Sequence, residues 1–203
     1  MQILFLTNNK NSGDLITWLK KVAKEQVVVK SKKISIKDIH KVNPDFLISF
    51  NYKHIIKDDV IKLLSKRAIN LHASYLPWNK GSNPNVWSFL DNTPKGVTIH
   101  LIDKGVDTGA ILIQQKVKFD ENNDTLSSTY KALNETLKEL FKKNWVKIKN
   151  FKLKPKKQKG NGSIYKKKDF EKIKKIIENK KWNIKIKALK NNYLNYKTNE
   201  NKK

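Results

Sequence analysis

Apolar positions in this chain follow two rhythms, one short and dense, the other stretched to every third or fourth residue. Residues 2–7 (QILFLT) form an apolar run that stops at NNKNSGD, the profile of a strand buried on both faces and entering a loop. Leu15, Trp18, Leu19 and Val22 follow at helical spacing, with Ser12 or Asp14 placed to cap that helix. The rhythms then repeat: strand candidates at 25–31 (EQVVVKS), 45–51 (DFLISFN) and 68–74 (AINLHAS) alternate with short helices at 35–44 and 57–66. Such alternation predicts an α/β fold, a doubly wound, mostly parallel sheet whose ligands gather outside the carboxyl ends of its strands.

After Pro77 the pattern changes. The segment LPWNKGSNPNVWSFLDNTPKG predicts a loop and then a helix around Val86–Leu90. GVTIHLID (96–103) and GAILIQQKVKF (109–119) alternate apolar with polar residues and are expected to pair across KGVDT. Residues 125–150 carry the pattern of one long amphipathic helix. From about Pro155 lysine dominates. The expectation is a main domain over 1–150 and a short basic extension over 151–203, with no order after about Tyr193. No internal repeat is evident.

Composition narrows the classes. A chain of 203 residues suits one α/β domain with a short appendage. With no cysteine, disulfides, thiolate metal sites and a catalytic thiol are excluded, and no histidine pair stands at ligand spacing, so no metal is expected. No apolar run approaches a membrane span and MQILFLT is too short for a signal segment, so no membrane association and a cytoplasmic location are expected. The net charge of +26 invites a nucleic-acid partner. Yet Arg67 is the only arginine, and lysine with abundant asparagine is what an AT-rich coding sequence supplies on any tolerant surface. A solvated surface of biased composition is expected instead, with no nucleic-acid partner.

The chemistry gathers at the fourth strand candidate. In NLHASYLP, Asn70, His72 and Ser74 alternate and share one side of an extended chain. Some 35 residues on, IDKGVDTG brings Asp103, Asp107 and two glycines into a loop between apolar segments. A carboxylate can orient an imidazole, and an asparagine amide can donate to a developing oxyanion. Spacing alone leaves His72 open between a structural and a chemical role.

The motifs Asn-x-His-x-Ser-x-Leu-Pro (70–77), a glycine at 81, and His-x-x-Asp-x-Gly-x-Asp-x-Gly (100–109) resemble the catalytic core of the folate-dependent formyltransferases. The resemblance covers about residues 1–150 and is most specific between Asn70 and Leu112. It implies a Rossmann-like formyltransferase catalytic domain over 1–150 and transfer from N10-formyltetrahydrofolate to an amine without a metal. It also implies a catalytic triad of Asn70, His72 and Asp107. Asn70 would hydrogen-bond the formyl oxygen; His72 would polarise it or take the amine's proton; Asp107 would hold the histidine. Folate would lie against the loop with Gly105, Val106, Thr108 and Gly109 and against the third strand's end, with Phe50, Tyr52 and Ile55 as candidate walls. Ser74 is expected to be a structural partner and, with Pro77, Gly81 and Tyr165, to line the acceptor side. His100 is expected either to support the strand or to stand behind the reacting residues, and His40 and His54 have no identifiable partners.

The family's branches differ in acceptor. Glycinamide ribonucleotide enzymes hold a phosphate with a glycine-rich first loop, and NNKNSGD has Gly13 alone. Methionyl-tRNA enzymes add a barrel domain of about a hundred residues after the core, where this chain has some fifty. Compact sugar N-formyltransferases resemble SNPNVWSFLDNTPKGVTIHLID and QKGNGSIYKKKDF most closely. The expected acceptor is the primary amine of a nucleotide-linked amino sugar for surface polysaccharide, with the tRNA acceptor as runner-up. A glycinamide ribonucleotide enzyme and a non-catalytic binding module on the same fold stand behind these. A homodimer is compatible with the sequence.

Overall fold

The computed structural model describes residues 1–177 and 181–200. Four strands come from the dense apolar runs: β1 (Gln2–Leu6), β2 (Gln26–Lys30), β3 (Phe46–Phe50) and β4 (Ala68–His72). They pair in parallel, β1 between β2 and β3, and β3 beside β4, with Leu4 opposite Val28 and Leu47, and Ser49 opposite Asn70. Every residue of β3 is buried, as expected of a parallel strand covered on both faces. With β6 (Gly96–Leu101) and β7 (Ile111–Lys116) the sheet has six strands in the order β2-β1-β3-β4-β6-β7. Leu101 N donates to Ala110 O, and Val117 N to Lys95 O, which is the crossed register of a hairpin between β6 and β7. The fold is the doubly wound α/β architecture that the alternation predicts.

Helices α1 (Gly13–Lys21), α2 (Ile36–Val42), α3 (Asp58–Leu64), α4 (Pro84–Leu90) and α5 (Leu126–Lys149) fall where periodicity places them. A capping box starts α2, Ser35 and Asp38 exchanging side-chain and backbone bonds. At α1 the expectation fails in two details. Ser12 takes the N-cap position but makes no side-chain cap bond, its Oγ being buried against Thr7 Oγ1 at 2.9 Å, while Asp14 in the first turn accepts from Leu15 N at Oδ1 and from Lys138 at Oδ2. The helix also stops before Val22, which is left 64% exposed.

The chain folds into two compact units, one of Met1–His72, Ile99–Ile113 and Lys138–Gln158, the other of Ala73–Thr98, Gln114–Leu137 and Lys159–Lys203. Both are assembled from separated segments, so the chain does not divide at residue 150. In the first unit Leu4, Leu6, Leu47, Val60 and Leu64 form one apolar cluster. In the second, β5 (Lys80–Gly81) and β8 (Ile164–Tyr165) make a two-stranded parallel sheet, and α6 (Lys167–Ile173) and α7 (Ile186–Glu200) follow. Residues 151–203 are therefore more than a basic appendage. Ile173, Ile176, Ile177, Ile184, Ile186 and Leu189 are buried with Val86, Trp87, Phe89 and Leu126. Order also extends past Tyr193, because α7 runs to Glu200; residues 201–203 lie outside the described residues. Among the described residues no helix is long and apolar enough to cross a membrane.

Candidate active site

The carboxyl end of β4 presents the site's first two side chains. Residues two apart on a strand share a face, and Asn70 and His72 both approach one carboxylate; His72 is 7% exposed. That carboxylate comes from the loop joining β6 to β7. Asp103 closes the loop on itself, its Oδ1 accepting from Thr108 Oγ1 at 2.6 Å and from Gly105 N at 3.1 Å. The turn so made holds Asp107 at φ +52°, a left-handed conformation that aspartate tolerates better than most residues. Gly109 ends the turn where a Cβ would stand 1.7 Å from the Leu101 carbonyl oxygen, so only glycine fits.

Asp107 is the hub of the cluster. Its Oδ1 accepts from Asn70 Nδ2 at 2.9 Å and lies 3.4 Å from His100 Nε2, while Oδ2 lies 3.6 Å from His72 Nδ1. The imidazoles of His72 and His100 meet edge to face with centroids 6.2 Å apart. His100 Nδ1–H donates to the Leu101 carbonyl at 2.8 Å, so the neutral ring carries its lone pair on Nε2. That nitrogen faces Asn70 Nδ2 at 3.3 Å. Carboxylate and imidazole lone pair together oblige Asn70 to turn its amide nitrogen, not its oxygen, toward them. The result is an amide donor, a carboxylate and two imidazoles in one polar cluster, with the imidazoles 3.4 and 3.6 Å from the carboxylate, the equipment for polarising a carbonyl and moving a proton. Among the described residues no His, Asp and Glu set groups as metal ligands.

The structure brings Asn70, His72 and Asp107 together, with His100 against Asp107 in the second of the two places expected for it. The signal was that His100 opens the motif that ends at Gly109. The structure adds Gln158, whose amide reaches the same loop and which no local pattern announces.

The residues suggested as folate walls separate into three cases. Phe50 has no exposed surface, so it packs the core and offers nothing to a ligand. Tyr52 is half-buried and donates its hydroxyl to the Lys32 carbonyl at 2.8 Å. Ile55 and Val106 are 73% and 42% exposed, apolar surface of the sort that a flat amphipathic ring system covers. Gly105 and Thr108 in the same loop as Val106 are exposed as well.

On the second unit, Ser74 is buried, donating to the Trp78 carbonyl and accepting at its own carbonyl from Thr98 Oγ1. Pro77 O sits 1.9 Å from where a Cβ of Gly162 would be, and a Cβ on Gly81, at φ +85°, would stand 2.3 Å from the Tyr165 carbonyl oxygen. Tyr165 is stacked on Trp87 with centroids 3.9 Å apart, and its hydroxyl donates to Asp91. Burial and that carboxylate hold its phenol above the ordinary range. These contacts make Tyr165 an anchor of the second unit's core, whatever its outer edge meets.

With this geometry the chain belongs to the formyl transferase family, whose profile matches residues 6–144. It is 41% identical to the formyltransferase PseJ from Anoxybacillus kamchatkensis, over 92% of this chain and 96% of that one, with a TM-score of 0.85. That crystal structure holds UDP-4,6-dideoxy-4-formamido-L-AltNAc and tetrahydrofolate. Among curated proteins, a methionyl-tRNA formyltransferase of Caldanaerobacter subterraneus is 31% identical over 68% of this chain. GDP-perosamine N-formyltransferase of Brucella melitensis is 33% identical over 45% of it. The chain spans less than half the length of these two relatives, 44% and 36% respectively.

Proposed function

We propose that this protein is an N-formyltransferase that moves a formyl group from N10-formyltetrahydrofolate to the primary amine of a nucleotide-linked amino sugar. The observation that carries the reading is the Asn70, His72 and Asp107 cluster at the strand end, in a chain alike over nearly its whole length to a sugar formyltransferase structure. By that likeness the first acceptor to assay is a UDP-linked 4-amino sugar.

The folate co-substrate supplies an activated formyl group; the chain supplies orientation, charge and proton transfer. Asn70 Nδ2, with one hydrogen on Asp107, turns its other from the longer contact with His100 toward the formyl oxygen. His72, with Nδ1 toward Asp107, accepts the proton that the amine sheds, the carboxylate favouring the imidazolium. Gly105, Thr108, Val106 and Ile55 hold the folate. Thus the acceptor nitrogen bonds to the formyl carbon and gives up one proton, the bond from that carbon to N10 of the folate breaks, and N10 takes up a proton as tetrahydrofolate departs.

The test offers the purified protein N10-formyltetrahydrofolate with a panel of UDP-, GDP- and dTDP-linked amino sugars and, separately, charged initiator tRNA. Formylation of an amino sugar supports the reading. Efficient formylation of the tRNA alone would overturn it in favour of the acceptor named by the methionyl-tRNA relative.

A further inference from the structure

The chain beyond α5 returns to the loop that carries Asp107. Lys156 pairs with Ile111 at the start of β7, each N–H donating to the other's carbonyl at 2.8 Å. Two residues later the half-buried Gln158 donates from Nε2 to Asp107 O at 2.8 Å and to Gly109 O at 2.9 Å. Both hydrogens of its amide are thereby committed to the two carbonyls that bracket Thr108. The orientation is forced, because turning the amide over would set Oε1 against two carbonyl oxygens. Oε1 itself is buried, with no hydrogen-bond partner among the described residues. A side chain present only to fill space would need no amide here.

We propose that Gln158 is a positioning residue for formyl transfer, clamping the turn on which Asp107 is presented to Asn70 and His72. The inference rests on the reading above. The direction of the Asp107 carboxylate follows from the backbone of a residue at φ +52°, a conformation that the chain does not hold without support. Asp103 ties the loop's near half through Gly105 and Thr108. Gln158 ties its far half, at Asp107 itself. Without the second tie the carboxylate loses the fixed placement at 2.9 Å from Asn70 and 3.6 Å from His72 on which proton transfer depends.

Two variants separate this role from packing. Gln158→Glu keeps the volume but sets a carboxylate against two carbonyl oxygens; Gln158→Ala removes the clamp and leaves space. Positioning predicts that Gln158→Glu loses more kcat than Gln158→Ala, about 10- to 100-fold, with the acceptor KM nearly unchanged. Packing predicts the reverse order, with the isosteric glutamate close to wild type. Amide hydrogen exchange over residues 103–112 reads the clamp without any acceptor, and should quicken there in Gln158→Glu while the remaining chain keeps its protection. Unchanged exchange, or wild-type kcat in Gln158→Glu, overturns the positioning role. A wild-type protein that formylates no amino sugar, yet shows the exchange difference, would instead refute the acceptor reading and leave the clamp standing.

Discussion

Two polar clusters in this molecule are built around an asparagine and a left-handed backbone, yet they differ in kind. In the second unit Asn79 is wholly buried at φ +56°, its Nδ2 donating to Thr93 Oγ1 at 2.7 Å and its Oδ1 accepting from Ser163 Oγ at 3.2 Å. Every group in that cluster is neutral. In the first unit Asn70 meets a carboxylate and an imidazole, and the left-handed residue is the carboxylate's own, Asp107. Hydrogen bonding among amides and hydroxyls satisfies a buried turn and ends there; replacing the hydroxyls by titratable groups leaves a cluster that can exchange a proton. The first arrangement is suited to stability alone, and the second is suited to the proposed reaction.

The comparison is broken most sharply by substitutions that should move one property and spare the other. Asp107→Asn removes a titrating group while keeping its volume, and His72→Asn removes one for a smaller polar side chain. Each should slow formyl transfer by about 10²-fold or more at nearly unchanged Tm. The double variant should be less than additively worse, since the two groups act as one unit. Near-normal rates in either single variant would remove that residue from the reaction. Asn79→Gly is the counterpart, because glycine accepts the left-handed backbone and loses only the side chain. The orphaned Thr93 and Ser163 hydroxyls should cost about 1–3 kcal/mol, read as a lowered urea midpoint, with turnover per folded molecule unchanged. Loss of turnover at unchanged stability would show that Asn79 serves the chemistry after all.

The same contrast explains what the sequence disclosed. Asn70, His72 and Asp107 were legible through the family motifs that carry them, since spacing alone left His72 open between a structural and a chemical role. The parallel strands were legible too, since burial on both faces writes an uninterrupted apolar run such as FLISF. Residues 151–203 were not. There lysines intervene between Phe170, Ile173, Ile176 and Ile177, and a long aliphatic stem can lie along apolar surface while its charge stays wet. The two-residue strands β5 and β8 are too short to show any period, and Gln158 meets its partners across 51 and 49 residues. Phe50 misled because a fully buried strand end and a ligand wall read alike in sequence.

A further charged cluster in the first unit separates structural ionisation from reactive ionisation. Glu25 is 6% exposed, and its carboxylate accepts from Lys149 Nζ at 2.6 Å, the chain's amino terminus at 2.8 Å and Trp145 Nε1 at 3.1 Å. Burial alone would raise its pKa, but the three donors outweigh burial and hold it below the ordinary value of 4.5. A depressed folded-state pKa gives stability that is present above the unfolded value and is lost as pH falls through the folded one. The urea midpoint should therefore decline on acidification below about pH 4.5, and Glu25→Gln should flatten that decline. An unchanged acid slope in the variant would detach Glu25 from acid stability. Because this cluster shares no residue with Asn70, His72 or Asp107, kcat at neutral pH should stay the same.

The smallest expected effect concerns the lysines, which give the chain its +26 charge without arginine's fork for phosphates. If this charge served a nucleic acid, a contact of even six phosphates would lose roughly three decades of affinity between about 50 and 200 mM salt. A nucleotide-linked sugar brings only a diphosphate, so its KM should rise by a small fraction of that over the same range. Much of the charge also lies far from Asn70, His72 and Asp107 in sequence, as in the lysines of α6 and α7. Within the cluster itself the charge is that of Asp107, whose side chain is buried enough for salt to screen it little. The measurement is KM for the better acceptor at several ionic strengths with the folate saturating. A steep linear fall in log affinity with log salt would mean that the basic surface binds a polyanion as part of the reaction, and that the lysines belong with the reactive cluster rather than with the solvated surface.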